Sequence, residues 1–180
     1  MTLSGQASFL VCAALLSGAA LSASGANPCA GFRWDLGHEQ ALFATSAQAV
    51  TAGRDETSAP VIGPDRLYDL ALTQQQDVRF VVHPEKRALT DGAYAGLARM
   101  HVPAAGLYRI SIDKGFWIDV VAGHETLDSR DFAGRAGCGN PRKIVVYELP
   151  AGDLVLQLSG AISPRVRVTL TSVPPEKSSH

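Results

Sequence analysis

The sequence predicts a mainly β protein: an antiparallel, jelly-roll-like β-sandwich with one N-terminal α-helix. Three observations carry this reading. From Leu67 onward, apolar residues recur with period two in eight short runs, as in strands that bury one face. Gly, Pro and Asp punctuate the runs at short intervals, as turns between antiparallel strands do. The intervals are too short for the crossover helices of a doubly wound sheet.

The chain divides into four parts. Residues 1–26 read as a signal peptide, with the apolar run Phe9 to Leu21, followed by small residues and a cleavage site at Ser24-Gly25-Ala26. The n-region departs from the usual pattern in carrying no Lys or Arg. This predicts a periplasmic or secreted protein without a membrane anchor after cleavage. Cleavage removes Cys12, so Cys29 and Cys138 remain as a candidate disulfide, worth on the order of 4 kcal/mol in the chain-entropy account. Residues 27–64 read as a helical segment and connector, 65–173 as the sandwich and 174–180 as a disordered tail.

Within the helical segment, His38 to Ala49 is helix-compatible, with Asp35 as cap and Glu39 in the first turn, favoured by the helix dipole. Leu36, Phe43 and Val50 recur every seven residues and form one candidate buried stripe. The stretch 54–65 is a polar, Pro/Gly-punctuated connector.

The strands follow in order. Tyr68, Leu70 and Leu72 alternate with polar neighbours, and Gln74 to Asp77 reads as a turn. Val78, Phe80 and Val82 make a second strand, which Pro84 ends. Residues 85–93 read as loop, and Tyr94 to Val102 as a strand weakened by Gly96. Tyr108, Ile110 and Ile112 point one way, and Lys114-Gly115 makes a tight turn into Phe116, Ile118 and Val120. A glycine-rich loop around Cys138 leads to Ile144–Leu149, apolar on both faces and so a central strand. Leu154 to Ser159 and Arg165 to Leu170 complete the set, before Pro174-Pro175.

The net charge of -1 over 180 residues points away from nucleic acid and from anionic membrane surfaces. One face looks suited to binding: Trp117 and Asp119, with Arg109, Ser111 and Asp113 taken to share their side, pair an aromatic ring with hydrogen-bonding groups. The competing assignment puts Trp117 in the core under the helix. Glu125, Asp128 and Asp131 fall in one loop and are candidate calcium ligands, although their spacing is not that of an EF-hand.

The phrases AGLYRISID, WIDVVAG and LPAGDLVLQLSG resemble the strand-and-turn rhythm of bacterial pre-peptidase C-terminal domains over residues 65 to 173. That resemblance implies an accessory module that binds or positions other molecules without catalysis. The whole chain also resembles short exported bacterial proteins, some of which carry a homogentisate 1,2-dioxygenase name, and this implies a mononuclear iron site. Such a site needs two His and one carboxylate on one face. His38, His83, His101, His124 and His180 contain no H-x-H or H-x-D pair, and His83-Pro84-Glu85 is the nearest strand-like arrangement. There is no G-x-S-x-G elbow, and the glycines of 134–139 precede no helix that could bind phosphate. The expectation is a non-catalytic binding or accessory module for a small molecule, glycan or envelope protein, with no cofactor predicted beyond the calcium and iron alternatives. The alternative is the iron-dependent dioxygenase.

Overall fold

A computed structural model describes residues 29–85 and 90–174. The predicted signal peptide and all but the first residue of the predicted tail lie outside the described residues. The chain forms α1 (Gly37–Phe43), β1 (Gln48–Thr51), β2 (Val61–Ile62), β3 (Tyr68–Ala71) and β4 (Thr73–Gln74). There follow β5 (Tyr94–Val102), β6 (Gly106–Ile112), β7 (Trp117–Ala122), β8 (Glu125–Thr126) and β9 (Ser129–Gly134). Last come β10 (Lys143–Leu149), β11 (Gly152–Ala161) and β12 (Arg165–Ser172).

These strands build a sandwich of two sheets. Sheet A has the order β1-β3-β12-β6-β10-β9; sheet B runs β2-β5-β11-β7-β8, with β4 also on β5. Pairing is antiparallel except at two edges, where β1 lies parallel to β3 and β2 parallel to β5. The core is the period-two apolar set, including Leu70, Met100, Ile110, Ile112, Leu156 and Leu170, each at most 1% exposed. A smaller cluster of Leu97, Val121 and Val155 lies on the outer face of sheet B, beneath Ala59 and Val78.

Four local readings are corrected. Only 37–43 of the expected helix is helical, and Gln48–Thr51 is strand β1. Thr45 ends the helix by turning both its N–H and its hydroxyl onto the Leu42 carbonyl, after which the backbone pairs with β3. Val78–Val82 is no strand: β5 is already bordered by β2, β4 and β11, so the valines pack on the outer face of sheet B instead. The buried Gln157 amide replaces the missing ladder there, accepting from the N–H of Val81 (2.7 Å) and Val82 (3.2 Å) and donating to the Val82 carbonyl (2.9 Å). The connector at 54–65 contains the short strand β2, and the loop before Cys138 contains β8 and β9. Gly96 has a packing reason: a Cβ there would lie 2.5 Å from that of Ala52, where the chain crosses over β5.

Lys114-Gly115 does not close a hairpin. It carries the chain from β6 in sheet A to β7 in sheet B. The L-P-A-G turn likewise crosses from β10 to β11, and Gly152 adopts a φ of 121° that favours glycine.

The expected disulfide is present. Cys29 and Cys138 are bonded, with a Cα–Cα distance of 5.0 Å across a sequence separation of 109. It ties the segment carrying α1 to the β9–β10 connection.

Candidate functional site

Because β6 and β7 belong to different sheets, the expected binding face is split. Arg109 and Asp113 stand on sheet A, while Trp117 and Asp119 stand on β7 in sheet B. Each half has acquired partners of its own.

On the sheet B side, Trp117 and Asp119 border a half-open groove of about 370 Å³ at the flank of the sandwich, between β7 and the β9–β10 edge of sheet A. Phe132, Lys143, Tyr147, Asp128 and Glu85 are among its other polar and aromatic lining residues. Trp117 is neither a core residue nor fully exposed, and its indole N–H donates to Asp119 at 2.9 Å. Lys143 holds its ammonium 5.7 Å from the Trp117 ring centroid and donates to the Phe116 carbonyl at 2.8 Å. The Tyr147 hydroxyl donates to the Ile118 carbonyl at 3.0 Å. Two side chains of sheet A thus occupy backbone acceptors along the edge of β7, bracing the sheets together and blunting that edge. Phe132, an outlying aromatic of β9, is 64% exposed.

The groove perturbs its ionisable groups. Burial, reinforced by the charge of Glu85, pushes Asp119 above the ordinary carboxylate range, against the indole N–H and Lys143, which pull it down. Burial pushes the Lys143 ammonium below its usual pKa, against the attraction of Asp119. Burial, with the negative charge of Asp119, pushes the Tyr147 phenol up.

On the sheet A side, α1 presses Glu39 against the outer face. Glu39 is 2% exposed; it accepts from Arg109 at 3.1 Å and from the Thr171 hydroxyl at 2.9 Å. Arg109 also donates to the Asp35 carbonyl at 3.0 Å, and its guanidinium lies 5.5 Å from the Trp34 ring centroid. Sequence reasoning marked Glu39 as a helix-dipole residue and missed this pair, since nothing local ties it to a residue 70 positions away. Asp113 receives two hydrogen bonds from Arg167, from its backbone N–H and its guanidinium.

The candidate calcium ligands are not brought together. Glu125 lies on β8, Asp128 between strands, and Asp131 on β9, where it pairs with Arg33 at 3.2 Å. Among the described residues, no three His, Cys, Asp or Glu side chains are grouped to hold a metal ion. The histidines are dispersed: His38 meets Asp65 and His101 meets Asp153, each at 2.8 Å, while His83 meets the Pro84 carbonyl.

No family model matches the chain, and no curated protein matches it. Among solved structures, a β-glucosidase from Paenibacillus barengoltzii is weakly similar, with a TM-score of 0.27 and 14% identity over 70% of this chain. The match spans 13% of that enzyme's length.

Proposed function

We propose that this protein is an exported, non-catalytic binding or accessory module, and that its ligand site is the flank groove bordered by Trp117, Asp119 and Phe132. The observation that carries the reading is the grouping of an exposed aromatic ring with half-buried polar groups in a groove sized for one small polar molecule, such as a sugar unit. Its polar groups are engaged in bracing the fold: Lys143 and Tyr147 donate to strand carbonyls, and Asp119 accepts from the indole. Groups held in that way suit recognition better than proton transfer. The disulfide fits an oxidising compartment, and among the described residues no helix is long and apolar enough to cross a membrane.

The test is calorimetric titration with a panel of mono- and oligosaccharides. The reading expects binding that weakens at least tenfold in Phe132→Ala and Asp119→Asn variants with intact circular dichroism. Binding indifferent to both substitutions, absence of binding across the panel, or turnover of a panel member would overturn it.

A further inference from the structure

We propose that the Cys29–Cys138 disulfide is a redox latch: a dithiol that reduces it releases the arm of residues 29–43 from the outer face of sheet A and leaves the sandwich folded. The arm and the sandwich are held by different means. The central core contains no residue of the arm, whose own buried apolar anchors are Leu36 and Phe43. A helix of seven residues has little stability of its own. Of the other ties, Arg33–Asp131 and His38–Asp65 are exposed and contribute little, Arg135 reaches the Gly31 carbonyl from an exposed loop, and Arg109 and Arg167 donate to the Asp35 and Phe43 carbonyls. The buried Glu39–Arg109 pair is incompletely satisfied, because Glu39 Oε2 and Arg109 Nε are buried without partners among the described residues. Among the described residues, the hydroxyls of Ser111 and Thr169, a cross-strand pair on the same face, are buried without partners too. Opening the arm would hydrate all four atoms, so the covalent bond is the main restraint on it.

The sulfurs differ in access. Cys138 is 1% exposed, whereas Cys29 is partly exposed. A thiolate of the dithiol therefore attacks Sγ of Cys29 and forms a mixed disulfide with it. Cys138 leaves as a thiolate and takes up a proton. The second thiol of the reductant attacks its own sulfur in the mixed disulfide, so that Cys29 is freed as a thiolate and protonated. Two electrons pass to the protein disulfide, and the dithiol ends as a disulfide. Release uncovers Arg109, Ser111, Thr169 and Thr171, a polar patch on β6 and β12. It also removes Trp34, one wall of the groove of about 1050 Å³ beside them.

Dithiothreitol is the probe, and a mass gain of two hydrogens confirms reduction. Amide hydrogen exchange on the unaltered protein should show residues 37–43 losing protection by tenfold or more and exchanging long before β5 and β11. The chain has two tryptophans, so a Trp117→Phe variant reports Trp34 alone, and its emission should shift to the red on reduction. An arm that stays protected after reduction overturns the proposal. So does exchange of β5 and β11 at the same rate as the arm, which would mean that the arm opens only when the whole fold does.

Discussion

The outer face of sheet A and the flank groove are built from the same kinds of side chain. Each has a carboxylate, a cation and a tryptophan: Glu39, Arg109 and Trp34 in one, Asp119, Lys143 and Trp117 in the other. In the first, a tethered helix seals the carboxylate to 2% exposure and a guanidinium meets it directly. In the second, the carboxylate accepts from an indole, the ammonium is turned to a backbone carbonyl, and the site stays half open. Sealing the first pair withdraws it from solvent even though Glu39 Oε2 and Arg109 Nε find no partner among the described residues. The second stays within reach of solvent, and the difference lies in what covers each pair.

The comparison can be broken first at its tether. Cys29→Ser with Cys138→Ser should cost about 4–5 kcal/mol of stability in the chain-entropy account, read from urea denaturation. An unchanged midpoint would refute that cost. Next, Arg109→Leu strands the buried Glu39 charge and should cost about 3 kcal/mol, while Arg109→Leu with Glu39→Leu should recover much of that loss. If the double variant is as unstable as the single one, the loss does not come from the stranded Glu39 charge.

On the open side, Tyr147→Phe leaves the Ile118 carbonyl without its hydroxyl donor and should cost about 1 kcal/mol by thermal denaturation. The smallest effect is a slope with pH. Asp119 holds its proton more tightly in the native than in the unfolded chain, so stability should fall as pH rises from about 4 through its raised pKa. Asp119→Asn should remove that fall, and an identical pH profile in the variant would refute the assignment. Asp55 provides the opposite sign. The Ser58 hydroxyl, Arg79, the Ser58 N–H and Thr57 hold its carboxyl well below the usual range, so its contribution is present above about pH 4 and lost on acidification. Asp55→Asn should flatten that acid limb in pH-dependent denaturation.

Much of the fold was legible because alternation is a local property. Tyr94–Val102 came out at the expected residues, and β6, β7 and β10 to β12 within a few of them. The failures have a common cause. Val78–Val82 alternates like a strand but found no free edge on β5, and β1 looked helical until β3 offered it a partner. Of the expected binding face, Trp117 and Asp119 share one side of β7 and line one groove, whereas Arg109 and Asp113 lie with sheet A. Lys143, Tyr147 and Phe132 were not marked, because sheet A delivers them from across the sandwich.

From its residues alone, this chain determined that strands would form, which side of each would be apolar, and that two cysteines remained to be paired. Tertiary structure decided which sheet each strand joined. A two-residue turn such as Lys114-Gly115 is compatible with a hairpin or with a crossing between layers, and its local sequence does not distinguish them. The choice depends on which edge and which apolar face are available to receive the next strand, and those belong to distant parts of the chain.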